Sequence, residues 1–123
     1  MLVDKQTVLF PKIVGENSHA DQVLLTLRIP EELAYFKGHF EEIPVVPGVA
    51  QIQWAVHYAR QYLGLNLGFS HMEVVKFKEL LLPGQQLELS LHYLEQACKL
   101  EFCYRSAVCE YSSGRIYFHD HLV

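Results

Sequence analysis

The chain has 123 residues, half of them hydrophobic and a fifth charged, which is enough apolar material for one compact domain with a real core. A formal net charge of -4 with no clustered basic face argues against nucleic acid as a partner. The stretch Met1 to Gln6 carries an acid and no apolar signal core, and no run approaches the roughly 18 apolar residues of a membrane span, so a soluble cytoplasmic chain with no membrane partner is expected.

Val23, Leu25, Leu27 and Ile29 alternate with Leu24, Thr26 and Arg28, the period of a strand with one face buried, and Pro30 ends it. The segment Phe36-Lys37-Gly38-His39-Phe40-Glu41-Glu42-Ile43-Pro44-Val45-Val46-Pro47-Gly48-Val49 follows, a tight loop with a histidine just ahead of an apolar helix. Val49, Ile52, Val56, Ala59 and Leu63 recur at steps of three and four, which predicts a helix over about residues 47 to 63 with Gly64 as its C-cap. That rod, roughly 25 Å long at 1.5 Å per residue, also carries Ala50, Trp54 and Ala55 away from its main stripe. Being apolar almost all round, it has to be enclosed by the rest of the chain.

Strands follow in series. His71 to Lys78 reads as one, with Val75 and Phe77 inward and Lys76 and Lys78 toward water. Leu87, Leu89, Leu91 and Tyr93 alternate with polar neighbours, as do Leu100, Phe102 and Tyr104. Pro83-Gly84 predicts a turn, and Ser112-Ser113-Gly114 a second one before a last strand from Arg115 to His119. Short turns between consecutive strands mean an antiparallel sheet, so the expected class is α+β, one long helix wrapped by a curved sheet. Cys98, Cys103 and Cys109 lack CxxC spacing, and Cys103 and Cys109, in a strand-like stretch, read as buried or half-buried thiols. His119-Asp120-His121 has no third ligand at fixed spacing, so no metal site is expected there.

Gly38-His39-Phe40, Pro44, Pro47-Gly48-Val49 and the later Lys76-Phe77 with Pro83-Gly84 resemble the hot-dog fold 3-hydroxyacyl-(acyl carrier protein) dehydratases over about residues 20 to 118. Within that group, Pro47-Gly48-Val49-Ala50-Gln51-Ile52 followed by Trp54 is most similar to the thioester dehydratases of aryl polyene pathways. The resemblance implies one hot-dog domain over residues 1 to 123. It also implies dehydration of a 3-hydroxyacyl thioester to the trans-2-enoyl thioester, with no cofactor. The partner would be an acyl carrier protein with a phosphopantetheine-linked acyl chain, and the assembly a homodimer or higher oligomer with sites shared across a two-fold interface.

By the same resemblance His39 takes the C2 proton, since a neutral imidazole titrates near the working pH. The opening amides of the helix at Gly48 and Val49 face the enolate-like oxygen. A small Gly48 lets the thioester approach, and Pro47 presets the first turn. Phe40 and His57 complete the implied substrate-binding set. Three positions depart from the family pattern. Glu41 stands where a proline usually follows the His-Phe pair, His57 replaces a glutamine, and Gln53, fourteen residues after His39, replaces an acid. An amide holds a leaving hydroxyl but does not protonate it. Three readings therefore stand side by side: an impaired dehydratase, a non-catalytic acyl-binding subunit, and a hot-dog thioesterase. Lys76, Lys78 and Arg60 are the cations that could meet an acidic carrier.

Overall fold

The computed structural model describes residues 8–33 and 44–120. Within them one helix packs on a six-stranded antiparallel sheet. Strands β1 (Lys12–His19) and β2 (Gln22–Arg28) precede α1 (Gly48–Leu63); β3 (Phe69–Phe77), β4 (Gln86–Leu94), β5 (Lys99–Arg105) and β6 (Glu110–Phe118) follow it. The spatial order is β1-β2-β4-β5-β6-β3, so β1 and β3 form the edges. This is the hot-dog fold expected from the sequence.

The period-two pattern fixes the inner face. Val23, Leu25 and Leu27 of β2, Leu87, Leu89 and Leu91 of β4, and Leu100, Phe102 and Tyr104 of β5 are all buried, and their alternates face outward. Registers such as Leu25 opposite Leu89 and Leu91 opposite Phe102 stack these rows into one apolar floor. At the far end of α1, Gly64 adopts φ 68°, the left-handed conformation of a C-cap, and Gly84 with φ 80° makes the expected turn after Pro83.

Four differences from the sequence reading stand out. First, β1 carried no readable period, because seven of its residues other than Gly15 are exposed or only half covered on an edge and a bulge interrupts it between Ile13 and Gly15. Second, Ser112-Ser113-Gly114 is not a turn; it lies inside β6, and the chain reverses earlier, where the Ser106 N–H reaches the Cys109 carbonyl at 2.8 Å. Third, Pro47 is the N-cap of α1 in an extended conformation (φ -60°, ψ 148°) and the helix proper starts at Gly48.

The fourth difference concerns which side of α1 is inside. The buried row is Ala50, Gln51, Trp54, Ala55, Tyr58 and Ala59. Of the stripe chosen from the sequence only Ala59 is fully buried, while Ile52, Val56 and Leu63 are half-buried and Val49 is 62% exposed. The helix is therefore enclosed on one side only by its own sheet. Trp54 and Tyr58 serve the core: the Trp54 Nε1–H donates to the Leu9 carbonyl at 2.9 Å and the Tyr58 hydroxyl to the Pro11 carbonyl at 3.4 Å. Burial pushes the Tyr58 phenol pKa up, as it does for the fully buried Tyr104.

Candidate active site

Of the residues picked out from the sequence, Pro47, Gly48 and Val49 form the start of α1, and Gln53 and His57 follow further along it. His39 and Phe40, with Glu41, lie outside the described residues. Pro47 caps the helix, its carbonyl accepting the Ala50 and Gln51 N–H groups at 3.1 and 3.2 Å. Gly48 and Val49 come next, and as the first two helical residues their N–H groups have no intrahelical acceptor. The positive end of the helix dipole adds to these amides, so this terminus is suited to oxygen that gains negative charge.

Gln53 and His57 are one turn apart on the same outward face, and both are exposed. The His57 ring rests against Phe10, with centroids 4.4 Å apart, and edge-on to Tyr58 at 5.1 Å. Neither residue is a buried, internally satisfied polar group. Gln51, two residues before Gln53, is such a group: it is 3% exposed and fully bonded.

Gly48 has a packing reason for its lack of a side chain. A Cβ there would lie 2.6 Å from Cζ of Phe77, so the ring of β3's last residue occupies the room that the glycine leaves. Phe77 is inward-directed as expected, yet half of it remains exposed, as do Val49 and Leu80 nearby in the chain. Beyond Phe77, Lys78 is tied to Glu110 at 2.8 Å, and this ion pair holds the Glu110 carboxyl below its usual range. Cys103 Sγ, 3.5 Å from Glu110, is pushed up to about 11 by burial and by that carboxylate, so it is no nucleophile at neutral pH. Among the described residues no group of three or more His, Cys, Asp or Glu is placed to hold a metal ion, and no helix is long and apolar enough to cross a membrane.

Sequence reasoning missed the contact that joins the helix start to the sheet. Gln51 Nε2 donates to the Val46 carbonyl at 3.2 Å, Ser112 Oγ donates to Gln51 Oε1 at 2.6 Å, and the Tyr104 hydroxyl donates to the Gln51 carbonyl at 2.6 Å. The signal was a polar residue at a core position of a helix opposite small polar residues in a strand.

A single helix on this six-stranded antiparallel sheet makes the chain a hot-dog fold protein. The chain belongs to the ApeI-like family of ApeI dehydratases, whose pattern matches residues 15–115. Among solved structures it is similar to the dehydratase heterocomplex ApeI:P from Xenorhabdus doucetiae, at 34% identity and a TM-score of 0.82 over 88% of this chain and 96% of that one. It is 23% identical over 103 residues to a 3-hydroxyacyl-[acyl-carrier-protein] dehydratase FabZ of Lactiplantibacillus plantarum, covering 78% of this chain and 70% of the relative. The FabZ of Streptococcus mutans is 25% identical over 83 residues, 62% of this chain, and only 59% of that relative's length is spanned.

Proposed function

We propose that this chain takes part in eliminating water from a 3-hydroxyacyl thioester on an acyl carrier protein, giving the trans-2-enoyl thioester. Family membership supports the reaction class, and the amides opening α1 supply the place where thioester oxygen gains charge. In this reading His39 takes the C2 proton while Gly48 and Val49 N–H groups receive the carbonyl oxygen. The C3–O bond then breaks, and the electron pair left by the C2 proton becomes the new double bond. The hydroxyl needs a proton to leave as water, and Gln53, an amide, cannot give one. The imidazolium formed at His39 returns it, with Gln53 holding the hydroxyl in reach.

Pairing of two hot-dog chains is part of the proposal. The edge strand β3 exposes Phe69, Met72, Val74 and Phe77, and Val49 stands open on the helix, so edge and outer face offer an apolar seam. A homodimer is the simplest use of that seam in the cytoplasm. One observation favours a second reading: a similar solved structure is a dehydratase heterocomplex, and the outward position that carries an acid in the family carries Gln53 here. In that reading this chain binds the acyl thioester and a partner hot-dog chain supplies the acid.

A coupled assay of enoyl formation from 3-hydroxyacyl carrier protein tests the proposal on wild type, His39→Ala and Gln53→Glu together. The expected result is slow turnover in wild type, a loss of about 100-fold or more in His39→Ala, and a gain of roughly tenfold in Gln53→Glu, the scale of general acid catalysis. No enoyl product from wild type and no gain in Gln53→Glu, with the carrier still bound, would leave the non-catalytic reading standing. Release of free thiol without enoyl product would point to a thioesterase.

A further inference from the structure

Gln51 and Ser112 are, among the described residues, the buried pair that is neither apolar nor aromatic, and they bond to each other. We infer that Gln51 is a positioning residue that aims the opening amides of α1, an inference that rests on the dehydration reading of that helix end. Three elements meet at this one residue: the Val46 carbonyl before the helix and Ser112 of β6 at its side chain, and Tyr104 of β5 at its backbone carbonyl.

The geometry makes the consequence local. A trans peptide holds its C=O and N–H antiparallel, so fixing a carbonyl fixes the direction of the amide across the same bond. The Pro47 carbonyl is turned along the helix by the Ala50 and Gln51 N–H groups, which points the Gly48 N–H the opposite way, out of the terminus. The Val46–Pro47 peptide before it is held at the Val46 carbonyl, which accepts from Gln51 Nε2, and the Val45–Val46 peptide before that is held by the Val46 N–H, which donates to the Leu81 carbonyl at 2.8 Å. Gln51 thus restrains two successive peptide planes, one through its backbone and one through its side chain.

Glutamine suits this post because one amide offers both a donor and an acceptor, Nε2 for Val46 and Oε1 for Ser112. Stability alone gives little reason for it. A shape-matched apolar set could replace a buried polar group and its partners at nearly no net cost, whereas a hydrogen-bonded network fixes directions that apolar packing leaves loose. Tyr104 adds to the same end by anchoring the turn of helix that carries Gln51 to the sheet floor.

The test compares Gln51→Met, which keeps the shape and loses both side-chain bonds, with Ser112→Ala, which loses the sheet bond and keeps the one to Val46. Each is read by kcat and KM for enoyl formation and by hydrogen exchange of the 15N-labelled Gly48 and Val49 amides. Expected for Gln51→Met are a kcat loss of about 10- to 100-fold, the scale of a misplaced site, with KM within about threefold, and shifted, faster-exchanging Gly48 and Val49 amides. Ser112→Ala should lose stability while kcat and those two amides hold. Should Gln51→Met not fold, Gln51→Asn keeps the amide but falls a methylene short of Val46 and gives the same reading. Unchanged kcat and amides in the glutamine variants would overturn the inference, as would equal losses in Ser112→Ala. If wild type makes no enoyl product, the dehydration reading has failed, and the amide measurements alone decide whether Gln51 aims the helix end.

Discussion

The two faces of α1 invert the usual assignment of polar and apolar residues. The inner face buries Gln51 beside Ala50, Trp54 and Tyr58, with every polar group bonded. The outer face leaves Val49 at 62% exposure one turn before an exposed Gln53, with His57 one turn further on. A face that hides an amide and a face that shows a valine serve different purposes. The first fixes geometry by hydrogen bonds in a low-dielectric setting, and the second is a surface for another molecule to cover.

The largest expected contrast lies in side-chain truncation. Trp54→Ala on the inner face removes a fully buried indole and its bond to the Leu9 carbonyl, and should cost about 3–5 kcal/mol in denaturant unfolding. A value near 1 kcal/mol would mean that this face is far less tightly packed than its burial indicates.

A smaller contrast comes from adding one methyl group on either side. In β6 a Cβ on Gly114 would meet Phe102 at 2.9 Å and Val75 at 3.0 Å, and Phe102, 2% exposed, has nowhere to turn. Gly114→Ala should therefore cost about 1–3 kcal/mol, the price of overpacking. Gly48→Ala meets the Phe77 ring at 2.6 Å, but that ring is half exposed and free to swing. The gain in helix propensity, a fraction of the roughly 1 kcal/mol of a helix interior at this first helical position, partly offsets the displacement, so the net change in thermal or denaturant stability should stay below about 1 kcal/mol. Equal losses at the two glycines would erase the difference between the faces.

The sheet was legible wherever side chains alternate strictly, as in β2, β4 and β5, because a one-sided strand writes its burial into every second residue. What misled was the exception that carries chemistry. Ser112 and Gly114 occupy inner-face positions of β6, yet as Ser-Ser-Gly they look like a turn; one gives its hydroxyl to Gln51 and the other makes room for Phe102. Likewise Val49, Ile52 and Val56 keep helical spacing, and spacing tells which residues share a face without telling which face the sheet covers. The motif around Pro47-Gly48-Val49 was legible as a helix start. That Phe77, 29 positions later in the chain, fills the space above Gly48 follows only from the way β3 closes the sheet beside the helix.

The smallest expected effect on the chain itself is the sharpest test of the outer face. Val49→Thr keeps the volume and exchanges a methyl for a hydroxyl at a position where water already reaches the side chain, so unfolding of the separated chain should shift by no more than about 0.5 kcal/mol. If a second hot-dog chain covers this face, the same hydroxyl is desolvated on association. Sedimentation equilibrium should then show a dissociation constant raised by about threefold to thirtyfold, the cost of burying an unpaired hydroxyl. The two measurements move independently only when the valine is exposed in one state and covered in the other. A matching loss in both would place Val49 inside its own fold, and no loss in either would leave the apolar outer face without an occupant.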